Sequence, residues 1–312
     1  MLLNMVKLRY ADAPVFLDVS SIINQYALET ELSSSFGWNQ LLETDSQLLG
    51  GRGRYSNRPT VTYQPLSGVK FARSLMTPIP PSSVLSMIQA GWRADSVFRV
   101  CIQSVNGIYN RTGAGMRAHP ADPEFYRLMT LFLNIQKSRA VGIRVSPTDN
   151  NRQATALFFR KEGIDPGLVA EIGAVRQLLG LDHEAQEFNV VYGSVAQDNQ
   201  EIAILTRSML EILVELASYI DVPVRHVAEQ RTTPTIVDEL DADAGDGPAV
   251  KICSDTKKPT DAFVAVQYRD HWFWIEDRDF MSKRAFSFLM FLFSLAETGA
   301  SEAAPVLTVP TG

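Results

Sequence analysis

The sequence predicts an α+β protein, a mixed sheet with packed helices that ends in a C-terminal antiparallel hairpin followed by an apolar helix. Three observations carry this prediction. Segments with apolar residues at alternate positions are interspersed with segments whose apolar residues recur three and four apart, the periods of strand and helix. Two strand-like runs, residues 263–268 and 272–275, are divided only by a tight turn near Asp270, which favours local antiparallel pairing over an all-parallel sheet. Of the 312 residues, 46% are hydrophobic and 21% charged, enough to bury a sizeable core.

Taken in order, MLLNMVKLRY has helical spacing from its first residue and no polar cap before it. This pattern leads us to expect translation to begin upstream of Met1. Residues 15–26 have strand content, whereas the polar, glycine-containing stretch 33–58 reads as a long irregular insertion. Residues 59–63 alternate as a strand, and helices are expected through Phe71 and Leu75 and, after Pro80 and Pro81, around Val84, Leu85 and Ile88. Residues 97–108 fit strand or helix equally, and 113–120 form a connection. Asp122-Pro123-Glu124 opens a helix with Phe125, Leu128, Met129, Phe132 and Ile135 on its inner stripe. Strands at 141–145 and 155–159 precede a helix opening at Asp165-Pro166, and 188–195 returns to period two. Residues 202–220 read as the longest helical region, ended by Pro223.

The acidic stretch 238–247 reads as a solvated loop, followed by strands at 250–253 and 263–268. Arg269-Asp270 is not a favoured two-residue hairpin turn. In the returning strand, Trp272 and Trp274 face one side while Phe273 and Ile275 face the other, as expected of a central or covered strand. Asp279 or Ser282 caps the last helix. Its stretch from Ala285 to Ala296 is apolar on nearly every side, which fits a fully buried helix or one whose second face meets another subunit. A terminal strand is expected at 306–309. One decorated domain over 1–312 is expected, with a candidate subdomain boundary near 111–121.

A formal charge of −6 disfavours condensation onto nucleic acid, and the basic loop of Arg52, Arg54 and Arg58 with Tyr55 lacks a recognised binding module. No window has the roughly 18 apolar residues of a membrane-spanning helix. The chain has no HExxH helix, P-loop, GxGxxG turn or GxSxG elbow. His119, His183, His226 and His271 are scattered, Cys101 and Cys253 show no metal-ligand spacing, and the acidic loop lacks the calcium-loop order, so no metal or cofactor is expected. Gly50, Gly51, Arg52, Gly53 and Arg54 lack the strand-to-helix setting of a phosphate cradle. The candidate catalytic group is His271, crowded by Asp270, Trp272 and Glu276, with Glu276 or Asp279 as its acid partner. The two cysteines read as buried free thiols, with a single bridge as the alternative.

Five segments carry a resemblance that covers nearly the whole chain. They are LLNMVKLRYADAPVFLDVSSI from Leu2, TVTYQPLSGVKFARSLMTPIP from Thr60, TRSMLEILVELASYIDVP from Thr206, PTDAFVAVQYRDHWFWIEDRDFMSKRAFSFLM from Pro259, and PVLTVP from Pro305. The chain resembles a family of uncharacterised bacterial cell-envelope proteins, many of which begin with a lipoprotein signal. The resemblance implies an envelope or periplasmic location behind a signal upstream of Met1; without such a signal the chain would be cytoplasmic. It implies no active site. The functional expectation is therefore a noncatalytic envelope component or protein-interaction domain, with a partner or second copy meeting Ala285 to Ala296. The alternatives are an enzyme assembled from distant residues and a periplasmic small-molecule-binding protein.

Overall fold

The computed structural model describes residues 1–37, 46–113, 119–138, 141–147, 153–159, 165–235 and 249–297. The acidic stretch 238–247 and the expected strand at 306–309 lie outside them. The chain divides into two compact units, one formed by residues 1–14 and 68–312 and the other by Val15–Ser67.

The smaller unit is a two-stranded antiparallel ribbon. β1 (Phe16–Gly37) pairs with β2 (Ser46–Leu66), from Phe16 opposite Leu66 to Gly37 opposite Ser46, with a bulge between Val19 and Ser21. The irregular insertion expected over 33–58 is thus corrected at residues 33–37 and 46–58, which continue the two strands, while 38–45 lie outside the described residues. Glycine and serine there mimic loop composition, and it is cross-strand pairing that makes them strand. Both strands are edges, the setting in which Pro59 is tolerated.

The helices of the larger unit are α1 (Leu2–Arg9), α2 (Val69–Met76), α3 (Pro81–Gln89), α4 (Ala94–Cys101), α5 (Pro123–Ser138), α6 (Pro166–Leu179), α7 (Met209–Ser218), α8 (Val224–Ala228) and α9 (Phe280–Glu297). Its larger sheet runs β4-β3-β8-β7-β6-β5, built from β3 (Ile102–Val105), β4 (Ile108–Tyr109), β5 (Val141–Pro147), β6 (Gln153–Phe159), β7 (Glu187–Tyr192) and β8 (Glu201–Thr206). Neighbours are antiparallel except β7 and β8. Helix α3 packs across β5 to β8, while α4, α5 and α6 pack in succession. The ambiguous run 97–108 resolves into the end of α4 and then β3. An Asn106-Gly107 turn with both residues at positive φ, the preferred two-residue hairpin chemistry, joins β3 to β4.

The helix expected over 202–220 is also corrected. Its first part, Glu201–Thr206, is β8, and only Met209–Ser218 is helical. Ile202, Ala203 and Ile204 are buried between β7 and β3, and such a doubly covered strand has no alternation to separate it from a buried helix. The local signal for the true start is a capping box: Ser208 Oγ accepts from Glu211 N, and Glu211 Oε2 accepts from Ser208 N at 2.7 Å.

The second sheet of this unit has the order β10-β11-β9, with β9 (Cys253–Asp255), β10 (Ala262–Tyr268) and β11 (His271–Glu276). As expected, β11 is central. The expected strand at 250–253 instead starts at Cys253, with Val250 and Ile252 buried ahead of it. The turn between β10 and β11 does contain two residues. Arg269 and Asp270 take φ of 48° and 65°, a left-handed pair that holds despite the wrong residue types for it. Helix α9 packs against β11, α7 and α2. It buries Phe286, Leu289 and Leu292 while Met290 and Phe291 stay exposed, so it is one-sided and not buried all round.

Candidate functional site

The structure splits the candidate catalytic residues between the two ends of β11. His271 begins the strand, half-buried, with its ring 4.7 Å from that of His226 and its Nδ1 3.3 Å from the carbonyl oxygen of Arg269. His226 is only 3% exposed, and its Nδ1 pairs with the Tyr10 hydroxyl at 2.7 Å. Burial, reinforced by the neighbouring His271, holds His226 below the usual histidine value. Asp12 accepts hydrogen bonds from Tyr268 and from Arg269, whose guanidinium also lies over the Tyr10 ring at 5.1 Å. These contacts from the end of α1 hold the left-handed turn in place.

Glu276 ends β11, exposed, five residues from His271, and strand alternation puts the two on opposite faces. Asp279 is a helix cap: Ser282 N donates to its Oδ1 at 3.0 Å and Ser282 Oγ to its Oδ2 at 2.6 Å. Partial burial would raise its carboxyl, but the bonds from Ser282 outweigh this and hold it below the usual carboxylate range. His119 packs edge-on to Tyr109, and His183 is exposed. Among the described residues no group of three His, Cys, Asp or Glu could hold a metal ion. Both cysteines are free thiols, Cys101 buried and Cys253 half-buried.

A cleft elsewhere brings together residues that the sequence gives no reason to connect. It measures about 280 Å³ and lies among α4, α5 and α9. Trp92 and Phe288 form its aromatic wall, with ring centroids 4.5 Å apart. Arg93, Arg99 and Arg284 line it together with Asp95. Arg93 is paired with Asp95, whereas Arg284 makes no hydrogen bond or ion pair among the described residues. The position of Trp92 follows from two devices. Gly91, at φ +104°, turns the chain after α3 through a conformation that disfavours a side chain. Gln136 on α5 then donates to Ile88 O at 2.9 Å and Trp92 O at 2.6 Å, and accepts from Ala94 N at 2.9 Å.

Arg99, Val100 and Ala249 also line a much smaller cavity of about 10 Å³. Around it, Arg207 is buried and donates to the carbonyls of Arg99, Val100 and Arg111. Arg111 is 5% exposed, stacks over Tyr219 at 4.3 Å, and has no hydrogen-bond partner among the described residues for either terminal nitrogen. Glu215 accepts from Gly113 N at 2.6 Å and is the one carboxylate among the described residues that line this cavity. Among the described residues arginine thus outnumbers acid around both cavities, which suits them to anions. Local signals for this site are slight: Gly91 after a helix, and the capping box following Arg207. The chain matches no family model, no curated protein and no solved structure.

Proposed function

We propose that this chain is a noncatalytic component of the bacterial envelope whose larger unit binds a small organic anion with a flat apolar body. The supporting observation is the pairing of Trp92 and Phe288 beside Arg99 and Arg284 in one cleft. Binding sites of this kind combine apolar walls with a few placed polar groups, and guanidinium suits carboxylate or phosphate. An enzyme built on His271 with Glu276 or Asp279 has less support, since these residues do not converge. The envelope location rests on the resemblance carried by the quoted segments.

A thermal-shift screen of aromatic carboxylates and aryl phosphates tests the binding reading, because a ligand of the native state raises the melting temperature. At least one class is expected to stabilise the protein, with the shift abolished in Trp92→Ala and in Arg284→Gln. Absence of any shift, or a shift that survives both substitutions, refutes it.

A second reading, association through Ala285 to Ala296, is favoured by the solvent-facing Met290 and Phe291 on α9. Met290→Glu with Phe291→Glu should then dissociate an oligomer measured by light scattering. A monomeric wild type counts against it.

A further inference from the structure

The register of the β1–β2 ribbon sorts its residues by charge. Strand alternation and the pairing put Asp18, Glu29, Glu31, Arg52, Arg54 and Arg58 all on one face, with Glu29 opposite Arg54 and Glu31 opposite Arg52. The other face carries no charged residue over its whole length. From Tyr26, opposite Asn57, to Phe36, opposite Gln47, it presents Leu28, Thr30, Leu32 and Ser34 on β1, and Leu49, Gly51, Gly53 and Tyr55 on β2. Tyrosines mark one end of this band and Phe36 the other.

Two further facts bear on what covers this face. Among the described residues no third strand pairs with this ribbon, and a lone two-stranded ribbon with open edges is marginal in water. The stretch of this face bounded by Tyr26 and Tyr55 at one end and Phe36 at the other also has a defined height. Ten residue steps at about 3.3 Å give about 33 Å along the strand. At the roughly 40° tilt of barrel strands that becomes about 25 Å, the height of the apolar band of a membrane barrel bounded by aromatic girdles.

We infer that this ribbon is one stave of a closed β-barrel assembled from several copies of this chain, with its uncharged face in the hydrocarbon of a lipid bilayer and its Glu and Arg residues lining the lumen. Closure pairs every edge, which a bilayer demands of any strand it contains. A ring of identical two-stranded staves has an even strand number automatically, and eight strands, the smallest such barrel, require four copies. In the lumen, the facing Glu and Arg residues form rings of nearly cancelling charge that water can solvate.

The experiment uses the full chain, added from detergent to vesicles of phosphatidylethanolamine and phosphatidylglycerol at about 3:1 loaded with a self-quenching dye. Expected are co-flotation that withstands alkaline washing, dye release, and crosslinked species of four or more subunits. Leu28→Arg with Leu32→Arg, on the uncharged face, should reduce release at least tenfold, while Ser33→Arg, on the charged face, should not. Glu29→Gln with Glu31→Gln should retain release and shift the conductance of planar bilayers toward anions. The thermal transition of the larger unit, followed by near-ultraviolet circular dichroism, must match wild type in each variant. A monomer that stays in the supernatant overturns the inference, as does a soluble oligomer that neither floats nor releases dye. Equal release by the two arginine-bearing proteins does the same. None of these readouts involves the cleft at Trp92, so failure here leaves the proposed ligand binding untouched.

Discussion

Replacing Gln136 with Leu removes three hydrogen bonds while nearly preserving volume. The side-chain amide serves Ile88 O, Trp92 O and Ala94 N, all in the connection between α3 and α4. The Ile88 carbonyl keeps a donor in Gly91 N at 3.1 Å, so its loss is small. Trp92 O and Ala94 N lose the partner that Gln136 supplied, at about 1 kcal/mol each in this half-buried setting. The expected destabilisation is therefore about 2 kcal/mol, roughly a thirtyfold larger unfolding constant. Urea unfolding followed by circular dichroism measures it, with an unchanged m-value showing that the two end states are the same. Because Gln136 also sets Trp92 against Phe288, the variant should lose ligand-induced stabilisation even where the protein remains folded. A loss below about 0.5 kcal/mol would refute the assigned role of these bonds.

Three other outcomes follow from local geometry. Since burial and His271 hold His226 below its ordinary value of 6.5, the unfolded chain takes up the proton first as pH falls. The contribution of the neutral ring is thus complete above about pH 6.5 and is lost on acidification toward the lower folded value; His226→Gln should flatten the decline of the melting temperature from about pH 7 to about pH 5. An unchanged slope assigns the decline elsewhere. Asp270→Gly relieves a left-handed non-glycine residue and should stabilise the protein by about 1 kcal/mol in thermal unfolding, with a net loss counting against the strain argument. Burial pushes the Cys101 thiol up to about 12, so a thiol reagent at about pH 8 should modify at most Cys253 in the native protein and both cysteines in denaturant. Immediate modification of two thiols without denaturant contradicts the buried placement.

Elements with local signals were legible in the sequence. Helix α6 has its cap at Asp165, whose Oδ1 accepts from Gly167 N, and its left-handed Gly180 at the end. Helix α5 begins at Pro123, and β11 is central, as its two apolar faces indicate. Failures trace to partners that a local window does not contain. Ile202 to Thr206 looks helical until β3 and β7 pair with both its edges and place it inside the sheet. The glycines at 50, 51 and 53 look like a loop until residues 30–33 pair with them. The candidate site was illegible for the same reason. Gln136 reaches back more than forty residues to fix Trp92, and Arg284 meets Arg99 across the cleft from nearly two hundred residues away. His271 attracted notice through crowding in sequence, but Glu276 is on the other face of its strand and Asp279 is occupied with Ser282. The Asn106-Gly107 hairpin carries its signal in its residue types alone.

Helix α1 packs against α7 and β10, and Arg9 donates to Thr233 through both terminal nitrogens, at 2.7 Å each. Every one of these partners is encoded far downstream, so α1 leaves the ribosome long before any of them exists. At about 5–20 residues per second, the roughly 260 residues separating it from the end of β10 take some 13 to 50 seconds to make. During that interval Leu2, Met5 and Val6 have no native surface to cover them. Helix α1 is thus made long before the surface it docks on, and it docks against the very turn, Arg269-Asp270, that Asp12 then secures. Final closure of the larger unit therefore awaits synthesis of β10, leaving nascent α1 until then as a natural client for chaperone capture.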